Sequence, residues 1–446
     1  ADPLTAVGQF GAVRDAESGD LVFPWFSVPG FPEGTRFDQF PGSPAVSDGR
    51  YVVFKGNFID PDTGEGMTGV YVRDLSAGPE APVRRLADSA TPIPGQAPGD
   101  MVNFGSTAPP SAEAGRAVFV GLDIEAAPTM GGIYLVPLEG EPVLEELVTI
   151  GGQVPGEPAG TGFTRLGEGL SFDGRFVAFW GAWGDRTRTI VLECPEDGQP
   201  ALLEYCNELH PDGFEVAIPV DQGIFVHDTV SGQTLQVART GEVHEDFLSW
   251  VFSGRVPGDG HGGGGGGGGG GEGDDKEPGD EELARWRSSA FVAVDRVFAG
   301  RFRVAYLSSN ADVKAMHLRF GPGAGPEVRL LDTATPGVDL DPEAPAESVV
   351  VAIGIERDGF RGGRLGLTAS MLDPVTGESR AGLYMRRIRA GLCDGDLDGD
   401  GLIGFGDVLL VLSAWGETES EADATGDGIV DHDDLIQVLA AWGPCA

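Results

Sequence analysis

Most of the chain carries short runs in which apolar and polar residues alternate, and Gly, Pro or Asp breaks each run after a few positions. Alternation with a period of two is typical of strands that bury one face. Before Arg389 we find no long stretch with the 3.6-residue period of an amphipathic helix. The pattern therefore predicts a mainly β region over residues 1–389 and a different domain over residues 390–446.

One three-part unit recurs through the β region. It begins with a Gly-Arg turn and a strand at residues 48–56, and this element returns near residues 114, 173, 299 and 362. A second strand follows, as at residues 69–74, and then a third, as at residues 85–92. Repetition at roughly 60 residues predicts a β-propeller of about five blades. A β-sandwich array or a β-helix is the alternative.

The fifth unit, at residues 349–388, lacks its third element. Residues 4–9 read Leu-Thr-Ala-Val-Gly-Gln and are similar to the run that ends at Gln153. We therefore expect this N-terminal strand to pair with the last blade and close the ring, which would protect the edge strands.

Two insertions interrupt the repeat, at residues 194–222 and 257–283. The second contains ten consecutive glycines, at residues 262–271. No Lys-Ser or Lys-Thr pair follows them, so they do not form a phosphate-binding P-loop. A flexible surface loop is the preferred interpretation.

The segment after Arg389 repeats itself, because Asp423 lies 27 residues after Asp396. Each copy is a twelve-residue acidic loop followed by a short apolar helix that ends in Trp-Gly. In calcium loops, side chains at positions 1, 3, 5 and 12 and a carbonyl at position 7 bind the ion, position 9 acts through water, and glycine stands at position 6. Gly401 and Gly428 occupy that sixth position. The alternative, a solvated acidic run, would not require two copies aligned in this way.

The spacing predicts two Ca²⁺ ions. Their predicted ligands are Asp396, Asp398, Asp400, the Leu402 carbonyl and Asp407 in the first loop, and Asp423, Thr425, Asp427, the Ile429 carbonyl, Asp431 and Asp434 in the second. Without a cation these carboxylates repel one another, so folding of this module is expected to depend on calcium.

Residues 390–446 resemble a type I dockerin, the duplicated module that attaches cellulosomal enzymes to cohesin domains. Dockerins typically recognise cohesins through a Ser-Thr-like pair at loop positions 10 and 11. Phe405-Gly406 and His432-Asp433 stand there in this chain. The resemblance implies that Phe405 and His432 contact an extracellular protein, either a foreign partner or another copy. Head-to-tail contact between copies would build an open filament.

The Gly-Arg repeat resembles TolB-like and WD40-like propellers. Propellers joined to dockerin-like tails are similar to uncharacterised secreted proteins of the planctomycete type. This resemblance implies an architecture and says little about chemistry.

The charge excludes several classes of partner. There are 30 Lys and Arg residues against 70 Asp and Glu residues, which gives a formal charge of −40. Nucleic-acid binding needs a basic surface, so it is excluded, and an anionic membrane surface is disfavoured. No apolar run approaches the roughly 18 residues of a membrane helix. Because the chain begins at Ala1 without Met, we expect a processed, secreted protein.

The four cysteines are spaced as two pairs. Cys194 and Cys206 flank a short loop, and Cys393 and Cys445 enclose the C-terminal module. Two disulfides in an oxidising compartment are predicted, and four buried thiols are the alternative. Neither pair has the CxxC spacing of zinc or thioredoxin-type sites.

The sequence offers no catalytic residue or organic cofactor site. The six histidines show no tight metal-binding spacing, and His227 and His317 fall on corresponding second strands, where packing explains them. The preferred hypothesis is a secreted, non-catalytic propeller scaffold that docks through its calcium module. The alternative is a polysaccharide-binding or glycoside-hydrolase-like propeller, with Trp180 and Trp183 as candidate sugar platforms, although core packing explains both more simply.

Overall fold

The computed structural model describes the chain from residue 13 to residue 445 with gaps. The described residues are 13–14, 21–22, 27–32, 34–78, 81–97, 99, 101–196, 198–254, 256, 283–297, 300–311, 313–322, 327–388, 393, 395–398, 401–418, 420–425 and 427–445. The proposed closing strand at residues 4–9, the glycine run and Asp400 lie outside them.

The first half of the chain forms three large antiparallel sheets. A two-stranded pair precedes them, β1 (Val13–Arg14) and β2 (Leu21–Val22). Sheet one has the order β3 (Ala45–Ser47), β4 (Tyr51–Ile59), β5 (Gly66–Asp74) and β6 (Arg84–Asp88). In sheet two, β7 (Ser106–Thr107) and β8 (Ser111–Glu113) both pair with β9 (Arg116–Leu122), and β10 (Gly131–Pro137) and β11 (Glu145–Thr149) follow. Sheet three has the order β12 (Phe163–Phe172), β13 (Phe176–Leu192), β14 (Phe214–Asp228) and β15 (Gln233–Arg239).

The second half adds two more sheets and a hairpin. The hairpin pairs β16 (Leu248–Ser253) with β17 (Arg285–Ala290). Sheet four has the order β18 (Val292–Val297), β19 (Arg301–Asn310), β20 (Val313–Gly321) and β21 (Val328–Asp332). Sheet five has the order β22 (Val349–Arg361), β23 (Arg364–Leu372) and β24 (Ser379–Arg387). Among the described residues this sheet has three strands, which agrees with the missing third element of the fifth unit.

Helices are few in the described residues. Helix α1 (Pro200–Leu209) lies between β13 and β14, and α2 (Gly337–Leu340) precedes β22. The C-terminal module contains β25 (Leu402–Ile403), α3 (Phe405–Ser413), α4 (His432–Ala440) and β26 (Gly443–Pro444). None of these described helices has the length and apolar character needed to cross a bilayer.

The recurring Gly-Arg motif joins the first two long strands of its sheet. Asp48 and Gly49, between β3 and β4, have φ angles of 53° and 62°, and Gly362 and Gly363, between β22 and β23, have 53° and 74°. Two successive residues with positive φ form the turn that matches the twist of a hairpin. Glycine is favoured at these positions because most side chains disfavour that conformation.

Each sheet shares an apolar core with the next sheet along the chain. Tyr134 belongs to the core between sheets one and two, and Phe179 to the core between sheets two and three. Tyr306 lies between sheets three and four, and Met371 between sheets four and five. The mainly β character predicted for residues 1–389 is therefore confirmed, with the sheets packed face to face in chain order.

Candidate calcium-binding module

The first acidic loop brings three aspartates together. One carboxylate oxygen from each of Asp396, Asp398 and Asp407 lies within 4.8 Å of the others. Asp396 and Asp407 are buried, each with 1% of its surface exposed. Gly401, at the sixth loop position, has a φ of +84°, and its N–H donates to Asp396 Oδ2 at 3.1 Å. The glycine thus turns the loop back so that its amide supports the first aspartate.

Asp407 connects this loop to the helix that follows. Its Oδ1 accepts hydrogen bonds from the N–H groups of Leu397 at 2.6 Å and Asp398 at 3.0 Å. Its Oδ2 accepts from the N–H of Gly404 at 2.7 Å, directly before α3 begins at Phe405. The carboxylate at position 12 therefore closes the loop and caps the helix together.

The second loop repeats this arrangement. Asp434 Oδ1 accepts from the Thr425 N–H at 2.9 Å, and its Oδ2 accepts from the Asp431 N–H at 2.7 Å. Asp423 Oδ2 accepts from the N–H of Gly428 at 3.0 Å, and Gly428 has a φ of +101°. The Thr425 hydroxyl lies 3.2 Å from Asp423 Oδ1 and 3.1 Å from Asp434 Oδ1, between the two buried carboxylates.

Two further predicted ligands support the second loop locally. The Oδ1 of Asp427 accepts from the Ile429 N–H at 3.1 Å. Asp431 is the N-cap of α4, because its Oδ1 accepts from the Asp433 N–H at 2.8 Å. The capping role of Asp431 was not part of the sequence prediction.

The two copies are related by an approximate twofold arrangement. Leu402 of the first loop pairs with Pro444, which follows the second helix. Ile429 of the second loop pairs with Thr418, which follows the first helix. Each loop is therefore held by the end of the other copy's helix, so the two copies form one folding unit.

The helices place apolar residues on both sides. Val411 of α3 and Val438 of α4 are fully buried in a shared core with Leu397 and Ile403. Several apolar side chains remain about half exposed on the outer surface; they are Leu409, Leu412 and Trp415 of the first copy and Ile436, Leu439 and Trp442 of the second. We call these six residues the outer face.

The predicted partner-binding residues lie at the start of each helix. Phe405 is 67% exposed, and the side chain of His432 is 72% exposed. Both can therefore contact another molecule. Neither residue takes part in the apolar core of the module.

Two arginines of sheet four connect the module to the β region. Arg303 is fully buried and donates to Asp295 Oδ2 at 2.6 Å and to the Ile388 carbonyl at 2.9 Å. It also contacts Glu421, in the segment between the two loops. Burial raises the pKa of the Glu421 carboxyl, and the Arg303 charge opposes that rise. The module is thus joined to the sheets through a buried ion-pair network.

Arg301 contacts the module, whereas the equivalent arginines of two other sheets form ion pairs within their own sheet. The equivalent arginines of sheets one and three form ion pairs with the aspartate that ends a neighbouring strand, Arg50 with Asp74 at 2.7 Å and Arg175 with Asp228 at 2.8 Å. Sheet four has Gly321 at that strand end. Arg301 instead reaches the first loop, where it contacts the Asp398 carbonyl and lies 3.1 Å from Asp398 Oδ1.

Both predicted disulfides are present, Cys194–Cys206 and Cys393–Cys445. The segment between the first two cysteines was predicted to be a short loop, and this was wrong because α1 forms there. Cys206 of that helix packs against Phe252 of the β16–β17 hairpin. Pro200 at the first helical position favours the helix, since its fixed φ suits that place.

The sugar-platform hypothesis concerned two tryptophans of the β region. Trp180 and Trp183 are 1% and 3% exposed, so the core-packing interpretation is confirmed and the sugar-platform interpretation is wrong.

A partly buried carboxylate that the sequence analysis did not single out belongs to Asp358 of β22. It accepts hydrogen bonds from Ser111 at 2.6 Å and Arg361 at 2.9 Å. Burial raises the pKa of this carboxyl, and both partners oppose the rise.

His227 and His317 do not occupy matching positions, which corrects the sequence interpretation. Trp180 and Tyr306 each lie five residues after the arginine of their turn, and they face Ile224 and His317 respectively. The equivalent of His317 in sheet three is therefore Ile224. His227 lies three residues further along its strand.

Comparisons with known proteins give distant similarities. No family model and no curated protein matches the chain. Among solved structures, an acylaminoacyl peptidase of Pyrococcus horikoshii matches with 11% identity and a TM-score of 0.30, over 77% of this chain and 38% of its own. AtxE2 isopeptidase matches with 11% identity and a TM-score of 0.24, over 76% and 45%. An exo-β-1,3-galactanase of Phanerochaete chrysosporium matches with 10% identity and a TM-score of 0.26, over 78% and 64%. The chain thus spans less than two thirds of each of these structures.

Proposed function

We propose that this chain is a secreted, non-catalytic propeller scaffold whose calcium-loaded C-terminal module docks onto an extracellular protein. The observation that carries the proposal is the division of the module into two sides. Buried carboxylates converge inside each loop, while the outer face presents apolar side chains from both helices. Exposed apolar patches rimmed by polar residues mark protein–protein interaction sites.

Calcium is the cation that suits the loops. The converging groups are carboxylate oxygens and, in the second loop, a threonine hydroxyl, and hard cations prefer oxygen ligands. Buried carboxylates are costly unless a positive charge or strong donors compensate them. Backbone N–H groups supply part of that compensation at Asp407 and Asp434, and two Ca²⁺ ions would supply the rest.

The five-bladed propeller is supported by contacts at the centre of the sheets. Arg357, in β22, donates to the Pro110 carbonyl beside β8 at 3.0 Å. Arg361, at the end of β22, donates to the carbonyls of Phe172 in β12 at 2.6 Å and Val294 in β18 at 3.1 Å. The first strands of sheets two to five therefore meet along one line, as the inner strands of blades do.

The position of Gly382 in β24 favours an additional outer strand beside sheet five. At the equivalent glycines of β5, β10 and β14, an added Cβ would lie less than 3 Å from the outer strand, for example 2.0 Å from the Val148 carbonyl at Gly132. Gly382 of β24 has the same place, but the three atoms nearest to its added Cβ belong to Tyr384. A glycine here is explained if an outer strand approaches closely, and residues 4–9 are the proposed strand.

The partner is either a foreign extracellular protein or a second copy of this chain. Light scattering of the full chain decides between them, first in millimolar calcium and then in excess EDTA. Particles that fall to the monomer mass of 46.5 kDa on chelation would show calcium-dependent self-association. A monomer in both conditions would assign the module to a foreign partner, to be sought by calcium-dependent capture from culture medium.

Variants connect this result to the outer face. Leu412→Glu and Leu439→Glu place a charge on matching positions of α3 and α4, so we expect them to abolish the calcium-dependent capture or assembly. Val230→Glu is the matched control, since Val230 is a 72% exposed apolar residue in sheet three's turn. Association that survives both helix variants would contradict docking through this face.

A further inference from the structure

Two buried histidines and a glutamate meet against sheet four. His244 lies between β15 and β16, His317 lies in β20, and Glu327 directly precedes β21. One ligand atom from each of the three lies within 4.8 Å of the others. Imidazole nitrogens with a carboxylate oxygen form the donor set that zinc binds in proteins.

The glutamate lies at the centre of the group. His244 Nε2 is 2.9 Å from Glu327 Oε2, and the Tyr306 hydroxyl contacts the same oxygen. His317 Nδ1 is 3.0 Å from Glu327 Oε1. The carboxylate thus lies between the two imidazole rings, within 3.0 Å of one nitrogen of each.

Hydrogen bonding at the two histidines indicates which ring atoms are available. His244 Nδ1 lies 2.8 Å from Ser308 Oγ. Without a cation, Nε2 donates its N–H to the carboxylate oxygen. When a cation displaces that proton, Ser308 Oγ can accept a hydrogen bond from Nδ1–H, so that Nε2 becomes the metal-binding nitrogen. His317 Nδ1 is buried and has no hydrogen bond of acceptable geometry, although the carboxylate is close.

We propose that His244 Nε2, His317 Nδ1 and the Glu327 carboxylate bind one zinc-class divalent cation, with water as the fourth ligand. Neighbouring ligands of a tetrahedral Zn²⁺ lie about 3.4 Å apart. The observed 2.9 Å and 3.0 Å are shorter, so the carboxylate moves outward slightly on binding. The Glu327 side chain is 21% exposed and has room for that movement.

The ion would tie the segment that follows sheet three to sheet four. This role is independent of the calcium loops, whose ligands are oxygens alone. Calcium binds poorly to imidazole nitrogen, so an excess of calcium leaves the site available.

The test is a zinc titration of the full chain, stripped with EDTA and then held in millimolar calcium to fill the acidic loops. We expect one Zn²⁺ per chain and a rise in the thermal unfolding midpoint on zinc addition. Glu327→Gln removes a ligand, and we expect it to weaken zinc binding by at least about 100-fold, since losing even an outer-shell partner costs 10- to 100-fold. His227→Gln is the matched control: His227 is a buried histidine whose Nδ1 lies 2.9 Å from Thr234 Oγ1, and its loss leaves zinc affinity unchanged.

Two results would overturn the proposal. The first is no zinc bound by the wild-type chain in calcium buffer. The second is stoichiometric zinc that Glu327→Gln leaves intact, which would mean that the three residues form a hydrogen-bonded network without a metal. If Glu327→Gln does not fold, His317→Gln replaces it, because this variant keeps the contact between His244 and Glu327. Zinc affinity should fall in His317→Gln, and unchanged affinity would overturn the proposal. The visible absorption of bound Co²⁺ in the wild-type chain reports nitrogen ligation without any variant.

Discussion

The β sheets and the C-terminal module are stabilised by different interactions. Between the sheets, large apolar residues such as Phe179 and Tyr134 are completely buried. The module has a smaller apolar core, and it buries four carboxylates beside that core, those of Asp396, Asp407, Asp423 and Asp434. Apolar burial therefore stabilises the sheets. The module buries negative charge, so we expect it to need bound cations for stability.

Removal of calcium tests this difference most directly. We expect excess EDTA to unfold the module and to leave the sheets folded. A cation held at 1,000 times its dissociation constant stabilises the folded state by about 4 kcal/mol, and that contribution disappears on chelation. Limited proteolysis with mass spectrometry measures it: cleavage within residues 396–443 should appear in EDTA and be suppressed in calcium. Equal resistance of the module to protease in both buffers would show that its stability does not depend on calcium.

Arg303→Met tests the contact between the two regions. The substitution leaves the buried Asp295 and the partly buried Glu421 without their cation, and breaking a buried pair costs about 3–5 kcal/mol. Urea unfolding should show the loss, and the module should become sensitive to protease even in calcium. Arg50→Met is the control, because Arg50 forms an ion pair on the surface and its loss should leave the unfolding free energy nearly unchanged. Equal behaviour of both variants would mean that the buried network does not hold the module in place.

A smaller effect should distinguish the two loops. The first has Asp398 at position 3, whereas the second has Thr425. Thr425→Asp adds a charged ligand, and we expect it to raise the calcium affinity of the second site by about tenfold, or about 1.4 kcal/mol. Calorimetric titration resolves the two sites. The first site should keep its affinity in this variant, and weaker binding at the second site would show that Thr425 is needed as a hydrogen-bond donor.

Acid should reveal a still smaller contribution within the sheets. Hydrogen bonding from Arg175 holds the pKa of Asp228 well below its usual range. A carboxyl whose pKa is lower in the folded chain than in the unfolded chain stabilises the fold at pH values above its unfolded pKa of about 4. This stabilisation is lost as the pH falls toward the folded-state pKa. Arg175→Met should therefore move the acid unfolding midpoint of the sheets upward by a fraction of a pH unit. Arg285→Met, in β17, provides the control and should leave the midpoint in place.

Local patterns predicted the repeated features well. The Gly-Arg turns, the third element missing from the fifth unit and the Cys194–Cys206 disulfide follow from short stretches of sequence. The loops could also be placed, since the sixth-position glycines fix where the backbone turns. In each of these cases the residues that determine the structure are close together in the chain or recur at a fixed spacing.

Contacts between distant segments could not be predicted. Arg303 and Glu421 are 118 positions apart, and His244 and Glu327 are 83 positions apart. No spacing rule connects such pairs, because the packing of sheets brings them together. One signal was available at Arg301, where the strand-end aspartate of sheets one and three is replaced by Gly321.

The Cys393–Cys445 disulfide has a mechanical consequence. It makes the module a covalent ring attached to the sheets at one end, since the bonded residues are 52 positions apart. A pull exerted by a partner on α3 and α4 would reach the sheets through Cys393, where the ring joins the rest of the chain. Under load, and even after calcium is lost, the unfolded segment would stretch as a closed loop with a short tether.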